Sequence, residues 1–154
     1  MANTVTDRDK GYKVLLASLE GSSDLEIAVG ILEEDGGASS GEGLSVLEIA
    51  EINEYGIGVP ARPAITMFAD AKAATASKEM AAVISAAIKA RQKPAQRLDA
   101  YAQRLAGELQ GRIAQGTPPE NAPSTIAKKG SSVPLIDEGQ FRSSIRGRVR
   151  AKGS

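Results

Sequence analysis

Two rhythms of apolar residues divide this chain. Tyr12, Leu15, Leu16 and Leu19 recur at i, i+3, i+4 and i+7, which predicts a helix over Asp9–Glu20. Gly21-Ser22-Ser23-Asp24 stops it. Leu25, Ile27, Val29 and Ile31 then alternate with Glu26, Ala28 and Gly30, a period of two that predicts a strand. Glu34–Gly43 is acidic, small and glycine-rich and reads as an extended loop or arm. Leu44–Tyr55 reads as a helix with Gly56 as its C-terminal cap. Ile57–Pro63 is an extended crossing, since each proline turns its predecessor away from helical geometry.

Ala64–Arg91 is alanine-rich and almost free of breakers, with Met80, Val83, Ile84, Ala87 and Ile88 at helical spacing. After a corner at Gln92-Lys93-Pro94, the stripe Leu98, Tyr101, Ala102, Leu105, Leu109, Ile113 predicts a second long helix. Gly107 and Gly111 on this helix read as points of close helix–helix approach. A loop over Gly116–Pro123, a short helix over Ser124–Lys129, and a turn of helix from Asp137 to Ser144 follow. Ile145–Ala151 is expected as a final strand with Arg146, Arg148 and Arg150 on one face and Ile145 and Val149 on the other. The expected fold class is α+β, with helices packed on a small antiparallel sheet. One domain spans residues 9–151, between flexible ends at 1–8 and 152–154.

Composition sharpens this picture. Aromatic residues make up only 3% of 154 residues, so the core must be built from Leu, Ile, Val and Ala. A thin core of that kind is often completed by a neighbouring subunit. With no cysteine, disulfides and thiolate metal sites are excluded. With no histidine, the usual general base and metal ligand are missing. No apolar run approaches the roughly 18 residues of a membrane span, and the N-terminus has no apolar signal core. The expected setting is the cytoplasm of the producing cell. Net charge is zero but unevenly spread. Residues 1–56 carry 3 basic and 12 acidic side chains, residues 57–123 carry 9 and 5, and residues 124–154 carry 7 and 2. Such asymmetry is either two solvated faces or an interaction surface.

Candidate chemistry is sparse. There is no phosphate-binding P-loop, and Gly41-Glu42-Gly43 lacks the third glycine of a dinucleotide fingerprint. Asp137, Ser143 and Ser144 lie close together, but helix capping accounts for them more simply than nucleophilic catalysis. Glu33, Glu34 and Asp35 are adjacent and diverge in direction. Glu48, Glu51 and Glu54 fall on one helix side, as a solvated edge or a partner for basic residues. Arg142, Arg146, Arg148, Arg150 and Lys152 form a basic C-terminus without the interleaved aromatics that stack on bases. Neither catalytic, cofactor-binding nor metal residues are assigned.

Three segments carry a resemblance. Ile49-Ala50-Glu51-Ile52-Asn53-Glu54-Tyr55-Gly56 with Val59-Pro60-Ala61-Arg62-Pro63, then Thr117–Gly130 with Pro118-Pro119 and Thr125-Ile126, then Pro134-Leu135-Ile136-Asp137-Glu138-Gly139-Gln140-Phe141-Arg142-Ser143-Ser144-Ile145, appear in that order. In this order they resemble the conserved segments of small tailed-bacteriophage neck and tail-completion proteins. The chain departs from that pattern at Glu138, where a threonine is usual, and at Ala64, where an aromatic often follows the P-x-R-P unit.

The resemblance implies a non-enzymatic virion protein at the head–tail junction, assembled in the host cytoplasm. It implies a homo-oligomeric ring, sixfold or twelvefold, that contacts head-connector and tail proteins and lets double-stranded DNA pass without sequence preference. No membrane or cofactor is implied. A tail terminator capping the tail tube is the alternative within the class. A small nucleic-acid-binding regulatory module is the alternative outside it. The signature residues are Glu54, Tyr55, Gly56, Pro60, Arg62, Pro63, Leu135, Asp137, Gly139, Phe141 and Ile145. The candidate inter-subunit residues are Glu48 and Glu51 on an acidic side and Arg142, Arg146, Arg148 and Arg150 on a basic one.

Overall fold

A computed structural model describes residues 12–19, 24–32, 43–119 and 140–152. In chain order the elements are α1 (Tyr12–Leu19), β1 (Leu25–Ile31), α2 (Val46–Tyr55), α3 (Ala64–Lys89), α4 (Pro94–Gln115), α5 (Gln140–Ser143) and β2 (Ile145–Ala151). The architecture is α+β: helices packed on a small antiparallel two-stranded sheet. The expected arm over Glu34–Gly43, the Ser124–Lys129 helix, and signature residues Leu135, Asp137 and Gly139 fall outside the described residues, Gly43 excepted.

The organising element is α4. Its predicted stripe is all buried: Leu98, Tyr101, Ala102, Leu105, Leu109 and Ile113, joined by Ala106. Around its second half the core gathers Val46 and Ala50 from α2, Ala64 from α3, Phe141 from α5 and Ile145 from β2. Val29, Ile31, Ile65 and Phe68 pack against this cluster from their half-buried positions. Phe141 and Ile145 therefore meet in one core, but not as neighbours on a helix face. The helix ends at Ser143, and Ile145 already belongs to the strand.

β1 and β2 pair antiparallel over their whole lengths, from Leu25↔Ala151 to Ile31↔Ile145, with no inserted residue. Lys152 N–H donates to Asp24 C=O at 2.7 Å, which makes the even-numbered positions of β1 the mutually hydrogen-bonded pairs. The odd-numbered backbone groups of both strands therefore point away from the ladder. On β2 two of those groups meet α4. Gln110 Nε2 donates to Ile145 C=O at 3.0 Å, and Val149 N–H donates to Asp99 Oδ1 at 3.3 Å.

The close approach of helix and sheet is at Gly147, where a Cβ would stand 1.9 Å from the Ala102 carbonyl oxygen. The expectation that Gly107 and Gly111 bring helices together is corrected here. Both face outward, and a Cβ on either would meet nothing within 4 Å.

Candidate interaction site

The first signature segment folds into a tight junction between α2 and α3. Ser45 caps α2 with a full capping box: Glu48 N–H donates to Ser45 Oγ at 3.1 Å, and Ser45 N–H donates to Glu48 Oε2 at 2.7 Å. These bonds from the Ser45 backbone and hydroxyl hold the Glu48 carboxyl below its ordinary pKa. At the other end Gly56 takes φ +73, and a Cβ there would press to 2.9 Å on Ala61, so only glycine fits the C-cap.

Glu54 then reaches across to the next helix. Its carboxylate accepts from the N–H groups of Ile65 (3.2 Å) and Thr66 (2.7 Å), the unsatisfied donors in the first turn of α3. The helix begins directly after Pro63, whose missing N–H costs nothing at such a start. Arg62 is buried, with 7% of its surface exposed. Its backbone N–H donates to Asn53 C=O at 2.6 Å, and its Nε donates to Pro119 C=O at 2.8 Å. The first signature segment is thereby tied to the chain that follows α4.

The same segment presents its apolar side chains outward. Tyr55 is 74% exposed and Ile57 61% exposed. Val59 on the crossing, Leu47 on α2 and Met67 on α3 are exposed too. Glu51 lies exposed on α2. The proposed acidic edge is thus smaller than its sequence spacing implies. Glu48 and Glu54 are engaged as helix caps within the chain; Glu54 is half-buried, and Glu48 and Glu51 remain exposed.

The basic residues form a second surface. Arg146, Arg148 and Arg150 are exposed at alternate positions on the outer face of β2, opposite Gly30, Ala28 and Glu26 of β1. Arg150 Nε donates to Glu26 Oε1 at 2.6 Å, so this arginine is partly satisfied within the sheet. Arg146 Nη1 donates to the carbonyls of Ser143 and Ile145. Arg142 is exposed on α5 beside them.

A third polar feature was not marked in the sequence. Lys72 and Glu79 of α3 meet Tyr101, Arg104 and Glu108 of α4. Lys72 Nζ lies 2.6 Å from Glu108 and Arg104 Nη2 3.0 Å from Glu79. Tyr101 Oη donates to Glu79 at 3.2 Å, and the Arg104 guanidinium stacks 5.0 Å from the Tyr101 ring. The hydrogen bond to Glu108 raises the Lys72 pKa. Burial opposes ionisation of Glu79, but hydrogen bonds from Thr75 and Tyr101 and the charges of Lys72 and Arg104 bring its pKa below the ordinary value. Burial, with Glu79 beside it, raises the Tyr101 phenol. The i, i+7 spacing of Lys72 and Glu79 placed them on one helix side, but their partners come from another helix.

Among the described residues no helix is long and apolar enough to cross a membrane. Comparison with protein-family models, with curated proteins and with solved structures finds no match to this chain.

Proposed function

We propose that this chain is a structural subunit of the tailed-phage head–tail junction, a neck or tail-completion protein that works as a closed ring around passing DNA. The observation that carries the reading is the treatment of residues 53–63. A junction braced by Glu54, Gly56 and a buried Arg62 leaves Tyr55, Ile57 and Val59 in solvent. Rigid backbone under exposed large apolar side chains is what a binding surface needs, because little conformational entropy is lost on docking.

Two further features support it. α3 runs for 26 residues, yet only Ala64 and Ala87 are buried, so most of this helix is available to neighbours. The apolar rim with Glu51 and the arginine face of β2 are unlike surfaces of opposite charge. That is the requirement for heterologous contacts that close a ring. The third support is the ordered resemblance of the three sequence segments.

The test is electron microscopy of the purified chain and of particles that carry it. Rings in the first and copies at the neck in the second are expected. Tyr55→Ser combined with Ile57→Ser is expected to keep the fold and lose incorporation. A variant that still joins particles at the wild-type level would remove the observation on which the reading rests.

A further inference from the structure

We infer that the outer edge of β1 is a docking edge for β1 of a second copy, pairing antiparallel about Ala28. The backbone geometry leads there first. Leu25, Ile27, Val29 and Ile31 point their N–H and C=O groups away from β2, and among the described residues nothing bonds to them. Two of the corresponding groups of β2, the Ile145 carbonyl and the Val149 N–H, are met by Gln110 and Asp99 of α4, whereas among the described residues none of those of β1 is met. A two-stranded sheet is marginal by itself, and added strands stabilise it.

The sequence of β1 carries little of the usual protection of an edge, a single charge at Glu26. Leu-Glu-Ile-Ala-Val-Gly-Ile has no lysine and no proline, and its register with β2 contains no bulge. Its apolar side chains Leu25, Ile27, Val29 and Ile31 share the α4-facing side and are only half-buried. A further strand at this edge would cover them.

The segment is complementary to itself. Antiparallel pairing about Ala28 sets Ile27 against Val29 and Leu25 against Ile31 of the other copy. All four are positions whose backbone groups are available, and all are apolar on the same face. On the opposite face Glu26 of one copy falls beside Gly30 of the other. Gly30 lies across the ladder from Arg146 and carries no side chain to stand between. Strands are about 4.8 Å apart, so Arg146 and that glutamate are separated by roughly 10 Å of backbone spacing, which the two long side chains together span. Each Glu26 is then flanked by its own Arg150 and by Arg146 of the other copy. The pairing is two-fold and therefore separate from the head-to-tail contacts of a ring.

The chain contains no cysteine, so one introduced thiol reports this contact alone. Ala28 would face Ala28 of the second copy in a non-hydrogen-bonded pair, with Cα atoms about 4.5 Å apart, within disulfide range. With oxidised glutathione, full-length Ala28→Cys is expected to form covalent dimer. Glu26→Cys, out of register with itself, is expected to remain single. Cross-linking of Ala28→Cys no faster than Glu26→Cys overturns the proposal.

A charge exchange supplies the second arm. Glu26→Arg alone and Arg146→Glu alone place like charges together and are expected to lose this two-fold pairing. An equal mixture restores both ion pairs and is expected to sediment as a larger species than either variant alone. Failure of the mixture to associate, with both variants folded by circular dichroism, also overturns it. The cross-linking result is independent of the ring reading, which rests on incorporation through the Tyr55 surface; Arg146 also lies on the arginine face that supports that reading, so the charge exchange is judged by the mixture against each variant alone.

Discussion

Gly147 has no room for a methyl group. Its missing Cβ would lie 1.9 Å from one backbone atom of α4 and 2.3 Å from the next, and backbone cannot swing aside as a flexible side chain does. Gly147→Ala is expected to destabilise the fold by about 3 kcal/mol or more, read from urea unfolding. Gly107 and Gly111 lie on the exposed side of α4 with open space where a Cβ would go. Gly107→Ala and Gly111→Ala are each expected to add about 1 kcal/mol in the same measurement, the helix-propensity difference. Nothing in the sequence separates these three glycines by role. A helical glycine and a strand glycine both advertise missing bulk, but only the opposing surface decides whether the absence is needed. Tyr55 illustrates the converse. Its place in the signature segment was legible, while its exposure depended on the path of the chain after Gly56.

Local signals specified α2 from both ends, and the structure adds how its carboxylates are used. Ser45 is the N-cap of α2, and Ser45→Ala is expected to lower stability by about 1 kcal/mol in chemical unfolding. The Glu48 carboxyl has a folded pKa below the value of 4.5 it has when unperturbed. A depressed acid contributes stability that is complete above the unfolded value and is lost as pH falls through the folded one. Thermal melts of wild type and Glu48→Gln should therefore differ at about pH 6 and converge towards about pH 2.

Glu54 closes the donors at the start of α3. Glu54→Ala is expected to cost about 1–2 kcal/mol, and to speed hydrogen exchange at the Ile65 and Thr66 amides, with Glu54→Gln intermediate. The i, i+3, i+6 spacing of Glu48, Glu51 and Glu54 suggested one acidic edge. A helical wheel shows which residues share a side. It does not show that one belongs to its own cap and another to the cap of the next helix.

At the scale of the whole molecule, α4 holds the sheet against one side and α3 against another, and the bulk of α3 remains uncovered. A chain with few aromatics builds a core of Leu, Ile, Val and Ala around one helix and leaves Tyr55, Ile57, Val59, Leu47 and Met67 outside it. If those residues are an assembly surface, Tyr55→Ser with Ile57→Ser should leave unfolding free energy within about 0.5 kcal/mol of wild type while copies per particle fall sharply. Quantitative gel analysis of purified particles measures the second quantity.

The chain's own pattern determined the helices and strands, their order and their buried stripe, because periodicity records how each element meets water and apolar surface. It determined the ends of α2 as well, because caps act within a few residues. Tertiary structure alone decided that strands more than a hundred residues apart pair with one another. It also decided that Arg62 is buried against the segment after α4, and that α4 bonds to the β2 edge of the sheet while, among the described residues, nothing bonds to the β1 edge. Those outcomes depend on which surfaces the folded chain brings together, and residues distant in sequence leave no periodic trace of meeting.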